Sequence, residues 1–206
     1  MFGRIILKIA IFVSGRGSNL KAILDSRENK PQVEVKAVVS DKIDCPAFTV
    51  AKQFSILTYT VGNNYGYINN DELIKNLQSL DIELIVLAGY LKLIPNKLLS
   101  FYKGKIINIH PALLPSFGGK GMYGMNVHKA VFESSAKVSG VTIHFVDETY
   151  DTGKIIAQQC VDISNVVSPE EIAERVLKIE HTLLPFIVGK FAEGKIDYVG
   201  NRVVVN

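Results

Sequence analysis

Asn108 and His110 lie two positions apart in Ile106-Ile107-Asn108-Ile109-His110-Pro111, so on an extended chain their side chains share one face. Pro111 offers no backbone donor and holds His110 in extended conformations, which ends a strand where the polar pair emerges. A carboxamide beside an imidazole suits an acyl-type reaction, in which one group stabilises a developing oxyanion while the other handles charge or protons. An ordinary strand end with a hydrogen-bonded Asn and a surface His accounts for the same residues. Two further stretches bear on that choice.

The first is Ser14-Gly15-Arg16-Gly17-Ser18-Asn19-Leu20, which follows the β-branched run Ile5 to Val13 and precedes helical spacing at Leu20, Ile23 and Leu24. Strand, glycine turn and helix start together form a place where backbone N–H groups can face an anion. Gly15 and Gly17 permit close approach, and Ser18 and Asn19 can cap the helix or bind phosphate oxygens. A tight structural turn is the plain alternative. The Walker pattern fails because no Gly-Lys-Ser/Thr follows, and the dinucleotide fingerprint fails at its third glycine, where Leu20 stands. Asp41 could still act as a ribose-binding acid, which keeps a nicotinamide-dependent oxidoreductase as a rival. The second stretch is Asp147-Glu148-Thr149-Tyr150-Asp151-Thr152-Gly153, an acidic turn that a hairpin explains.

Composition narrows the partners. The chain has 206 residues, 48% hydrophobic and 21% charged, which fits a globular α/β protein with a sizeable core. A net charge of +3 without long Lys/Arg runs argues against nucleic-acid or membrane-surface binding and leaves room for a small anionic ligand. Cys45 and Cys160 lack zinc or redox spacing, and the four histidines at 110, 128, 144 and 181 add no metal-ligand pattern, so no metal is expected. A reducing, cytoplasmic setting follows from the isolated cysteines. His128, His144 and His181 are read as structural.

The elements that must position the polar pair follow from periodicity. Strands are expected at Ile5 to Val13, Val33 to Ser40, Ile56 to Tyr59, Leu84 to Ala88, Ile106 to His110, Gly140 to Val146 and Lys154 to Val161. Helices are expected after Leu20, over Ala47 to Phe54, Asp71 to Leu80 and Asn126 to Phe132, and after Pro95. A long helix starts at Ser168-Pro169-Glu170-Glu171, with Ile172, Val176, Ile179 and Leu183 inward, and a closing hairpin turns at Gly200-Asn201. The alternation predicts a mostly parallel sheet covered on both faces, with ligands beyond the strands' carboxyl ends. The glycine turn, Gly89 to Lys92 and the Asn108/His110 pair all fall at that edge. Ser116 to Met125, rich in glycine, cannot pack a core and reads as a mobile lid beside His110.

Asn108-Ile109-His110-Pro111 with Leu113-Leu114-Pro115-Ser116-Phe117, the turn Ser14 to Leu20 and the stretch Val141 to Gln158 resemble the phosphoribosylglycinamide formyltransferases, within the wider group of formyltetrahydrofolate-dependent enzymes. The resemblance implies a Rossmann-like α/β fold and one formyltransferase domain over 1–206, divided into a nucleotide-binding half (1–100) and a folate-binding and catalytic half (101–206). It implies formyl transfer from 10-formyltetrahydrofolate, as co-substrate, to the amine of glycinamide ribonucleotide, with Asn108, His110 and Asp151 at the catalytic positions. Gly15, Gly17, Ser18 and Asn19 fall on the phosphate-binding turn and Glu180 on the ribose-binding acid. Leu91, Lys92, Leu93, Val146, Asp147 and Asp151 fall on the folate pocket, although many members carry Met-Arg where Leu91-Lys92 stands. On this reading Asp151 keeps His110 charged. The partners are small-molecule substrates, with a homodimer compatible, and a hydrolase of the same group is the nearer alternative activity. Length argues against the relatives that carry a tRNA-binding or regulatory domain.

Overall fold

The computed structural model describes residues 6–26 and 32–206. Of the expected first strand, Ile5 lies outside the described residues. The framework is a seven-stranded sheet in the order β3-β2-β1-β4-β5-β6-β7, with a separate two-stranded β8-β9 hairpin. The strands are β1 (Leu7–Phe12), β2 (Val33–Ser40), β3 (Leu57–Thr60), β4 (Leu84–Leu87), β5 (Ile106–His110), β6 (Val138–Phe145), β7 (Ile155–Asp162), β8 (Ile196–Val199) and β9 (Arg202–Val205). β1 to β5 pair in parallel, whereas β5/β6 and β6/β7 pair antiparallel. Chain order reverses between β1 and β4, so the segments leaving those strands diverge and open a crevice at the carboxyl edge.

Helices α1 (Ser18–Asp25), α2 (Ala47–Gln53), α3 (Asn70–Ser79), α4 (Asn96–Phe101), α5 (Met125–Glu133) and α6 (Pro169–Ala192) cover the sheet. On one face Ile9, Ile11, Val86 and Ile107 pack with Leu20, Val131 and Ile172. On the other, Phe12, Ile85 and Leu87 pack with Leu73, Leu77 and Leu98. At about 1.5–3 kcal/mol for each fully buried large aliphatic side chain, these two layers fix the register that carries polar groups to the strand ends. Among the described residues no helix is long and apolar enough to cross a membrane.

Element bounds differ from the sequence expectation by one or two residues. β6 starts at Val138 rather than Gly140 because Val138 and Ser139 pair with Asp162 and Val161. Helix α6 is capped by the Ser168 hydroxyl on the Glu171 N–H, but the Glu171 carboxylate accepts from the Val167 N–H, so the reciprocal bond closes one residue before the cap. Its buried row runs Ile172, Val176, Glu180, Leu184 and Val188; Ile179 and Leu183, expected inward, are only half-buried. The row continues at four-residue spacing through an acid because α6 packs on α1, where Asn19 receives Glu180. Phe145, at the end of β6, stacks on Tyr198 and meets Phe191 edge-on, which ties the hairpin and α6 to the strand behind the site.

Candidate active site

The antiparallel register sets His144 of β6 opposite Asn108 of β5, and Thr142 opposite His110. Directly paired residues share a face, so an amide and two imidazoles emerge together. At His144 the ladder to β7 slips by one residue, since Ile143 pairs with Ala157 but His144 with Ile155. Such bulges re-aim side chains beside functional sites. Asn108 Nδ2 stands 3.1 Å from His144 Nε2 and 3.5 Å from Asp151 Oδ1. His144 Nδ1 lies 2.8 Å from the Phe145 carbonyl, which can only accept, so Nδ1 carries a hydrogen, and Nε2 faces both Asn108 Nδ2 and Asp151 Oδ1.

Asp151 sits at the tip of the β6–β7 hairpin with φ 59, in the left-handed region. Its carboxylate takes the Gly119 N–H at 2.8 Å and lies 3.5 Å from His144 Nε2 and 3.6 Å from His110 Nδ1. Burial pushes its pKa up, but the His144 ring, the Gly119 N–H and His110 outweigh that and hold it below the usual carboxylate range. His110 is 3% exposed and donates from Nε2 to the Phe117 carbonyl at 2.8 Å. Burial lowers its pKa, and Asp151 and the Phe117 carbonyl offset this only in part. Asp151, 3.6 Å away, thus favours the charged form of the His110 ring, while burial opposes it.

The segment after His110 is clamped. The Thr142 hydroxyl donates to the Ala112 carbonyl at 2.7 Å and accepts from the Leu114 N–H at 3.0 Å, while Gln158 donates to the Leu114 carbonyl at 2.9 Å. The glycine-rich stretch beyond it was expected to have no core contact, yet Phe117 packs against the main core, because its carbonyl must reach His110. A Cβ on Gly118 would come within 2.4 Å of Leu114 Cδ2 and 3.2 Å of Asp151 Cβ, so a larger residue there would make both side chains shift.

At the other end of the crevice, Gly17 opens α1 with φ 77, and a Cβ there would meet Ala47 Cβ at 2.7 Å. No side chain caps the helix, so the first-turn N–H groups remain open to a ligand. Asn19, expected to cap or to meet phosphate, instead donates to Glu180 Oε2 at 2.7 Å. Burial raises the Glu180 pKa to about 7, against the opposing pull of Asn19. Asp41 accepts from the Ser14 hydroxyl at 2.5 Å and is not among the residues lining the crevice, which removes the ribose acid that the nicotinamide rival needed.

Every residue that the resemblance assigns to phosphate, ribose, folate or formyl handling lines one cleft of about 770 Å³. Sequence reasoning missed several of its walls. His144 was read as structural; its alternation with Thr142 on a strand was visible, but its position opposite Asn108 was not. His128, 6% exposed, lines the cleft with Nδ1 lacking a hydrogen-bond partner. Tyr123, Met125 and Tyr150 join Leu91 and Leu93 as large apolar side chains left exposed in that cleft, the signature of a wall awaiting a ligand. Among the described residues, no group of three or more His, Cys, Asp or Glu is arranged to hold a metal ion.

An amide, an imidazole and a carboxylate gathered at the carboxyl edge of an open α/β sheet define a group-transfer site. A family profile described as formyl transferase matches residues 7–188, and the chain belongs to that family. It is 43% identical over 196 residues to the chloroplastic phosphoribosylglycinamide formyltransferase of Arabidopsis thaliana, across 93% of this chain and 67% of that protein. To the phosphoribosylglycinamide formyltransferase of Bacillus subtilis (strain 168) it is 38% identical over 186 residues, across 88% of this chain and 92% of the relative. Among solved structures, glycinamide ribonucleotide transformylase 1 from Symbiobacterium toebii matches with a TM-score of 0.87 at 33% identity, covering 98% of this chain and 95% of that one.

Proposed function

We infer that this chain transfers the formyl group of 10-formyltetrahydrofolate to the amine of glycinamide ribonucleotide, a step of de novo purine synthesis. One observation carries the reading: Asp151 stands 3.5 Å from Asn108 and 3.6 Å from His110, in the same cleft as an uncapped helix start. The ribonucleotide phosphate sits on the first-turn N–H groups at Gly17, Ser18 and Asn19, beyond Gly15. Glu180 meets the ribose hydroxyls. The folate ring system lies between Leu91 to Leu93 and the segment of Val146 and Asp147, with the exposed apolar side chains as its walls.

The substrate amine attacks the formyl carbon directly and gives a tetrahedral adduct whose charge falls on the former carbonyl oxygen. Asn108 and His110 donate N–H groups to that oxygen; one well-placed donor is worth about 3–4 kcal/mol of barrier. Asp151 compensates the positive character on the His110 ring as it donates. The bond from carbon to the folate nitrogen then breaks. That nitrogen takes a proton, and the new amide nitrogen loses one through Asp151 and a water. The Nε2–H of His110 is given to the Phe117 carbonyl in the free protein, so the loop must yield that bond when substrate arrives. The reading places one formyltransferase domain over 1–206, with Glu180 and Leu91 to Leu93 crossing between its two halves. The two free cysteines, Cys45 and Cys160, support a reducing, cytoplasmic setting.

An absorbance assay of formyl loss from 10-formyltetrahydrofolate, with and without glycinamide ribonucleotide, tests the reading. Turnover that requires both substrates is expected. Formyl loss without the ribonucleotide would assign a hydrolase instead, and no loss under either condition would overturn formyl chemistry altogether.

A further inference from the structure

The mechanism above uses Asn108 as a donor, but an amide is useful there only if its N–H side faces the reaction. A carboxamide is nearly symmetric in shape, so something must choose its orientation. Two acceptors flank the same Asn108 nitrogen: His144 Nε2 at 3.1 Å and Asp151 Oδ1 at 3.5 Å. Turning the amide over would set Asn108 Oδ1 against a carboxylate oxygen and against a bare ring nitrogen. Only the shorter contact is a well-formed hydrogen bond, since 3.5 Å lies at the margin. One N–H of Asn108 is thus anchored and the second is poorly satisfied by the protein.

The ring that does the anchoring is itself fixed. His144 is 2% exposed, and its Nδ1–H is given to the Phe145 carbonyl at 2.8 Å. That carbonyl cannot drift, because the Gly153 backbone lies so close that a Cβ there would be 1.7 Å from the Phe145 oxygen. The Phe145 N–H in turn donates to the Lys154 carbonyl at 2.9 Å. Hairpin backbone therefore keeps a hydrogen on Nδ1, and a neutral ring then offers its Nε2 lone pair to Asn108.

We propose that His144 is a positioning residue for formyl transfer: held as the Nδ1–H tautomer, its Nε2 lone pair takes one N–H of Asn108 and leaves the other aimed at the formyl oxygen. The proposal rests on the formyl-transfer reading, and its first test needs no turnover. In the full chain with ¹⁵N-labelled histidine at pH 7.5, with His144 assigned by its disappearance in His144→Gln, the ring nitrogens are expected to show Nδ1 protonated and Nε2 bare. Protonation at Nε2, in either a neutral or a cationic ring, overturns the proposal while leaving the formyl-transfer reading intact.

Kinetics supply the second test. His144→Leu removes the acceptor and is expected to lower kcat by on the order of 10²-fold with KM for both substrates little changed. His144→Gln returns an acceptor oxygen to Asn108 and is expected to recover most of that loss. Thermal unfolding of both variants separates misfolding from misorientation; should His144→Leu fail to fold, the His144→Gln rates and the ring-nitrogen signals decide. Equal impairment of two folded variants, or impairment of neither, overturns the proposal. Failure of the unaltered chain to turn over would instead count against the formyl-transfer reading itself.

Discussion

The two ends of the cleft are built by different means. At the end proposed for the nucleotide the candidate groups are backbone N–H groups, set by the φ of Gly17 and the closeness of Ala47, and backed by one buried side-chain pair, Asn19 with Glu180. At the proposed transfer end the groups are all side chains: Asn108 is oriented by the His144 ring, His110 by the Phe117 carbonyl and Asp151 by the Gly119 N–H. A backbone site tolerates changes in its neighbours as long as the turn holds its shape. A site made of reacting side chains loses function when one member goes, even if the fold survives. Binding should thus be sensitive at one end and rate at the other.

The largest effect is expected at the transfer end. Asn108→Ala and Asp151→Ala should each lower kcat by roughly 10²–10³-fold, the usual cost of an oxyanion donor or its support, with the unfolding midpoint nearly unmoved. Steady-state kinetics beside thermal melts check this, and near-normal turnover in either variant would break the comparison. Next comes Glu180. Its pKa is 4.5 when free and about 7 when folded, so between those values the native state holds a proton that the unfolded chain has released. Stability contributed below pH 4.5 is lost as pH rises through about 7. Glu180→Gln should therefore be more stable than the parent at pH 8, by about 1–3 kcal/mol, and should converge with it in acid. Urea titrations at several pH values measure the difference, and a less stable variant at pH 8 would contradict burial as the cause.

Gly17→Ala should cost about 1–2 kcal/mol of stability from its left-handed backbone and the crowding of Ala47. It should also raise KM for the ribonucleotide about tenfold, equivalent to ~1.4 kcal/mol, with kcat within a few-fold; a loss confined to kcat would merge the two ends. Smallest is Thr142→Val, which strips the hydroxyl from the clamp behind His110 and should cost about 1 kcal/mol in denaturant unfolding. If its kcat falls as far as that of Asn108→Ala, the clamp belongs to the reacting constellation rather than to its support.

The nucleotide end was largely legible in the chain because its parts are local: strand, glycine turn and helix start occupy one short stretch. Asn108 and His110 were legible for the same reason. Their partners were not. Asn108 and His144 are 36 positions apart, and Asn19 and Glu180 are 161 apart, so each pairing exists only once sheet register or helix packing is fixed. The acid that faces His110 could be read from a motif, while the depth at which the ring is buried could not. Phe117 was assigned to a lid with no core contact because glycine content speaks for a whole segment and conceals the one residue in it that packs.

Ser14 lies at the meeting point of these two ends. Its hydroxyl donates to Asp41 at 2.5 Å and accepts from the Leu91 N–H at 3.1 Å, while its own N–H goes to the Gly89 carbonyl at 3.0 Å. The loop that leaves β1 toward one ligand and the loop that leaves β4 toward the other are thereby riveted together at their roots. Two molecules seated on those loops share a common datum, so the gap that the transferred carbon must cross is machined into the scaffold before either arrives.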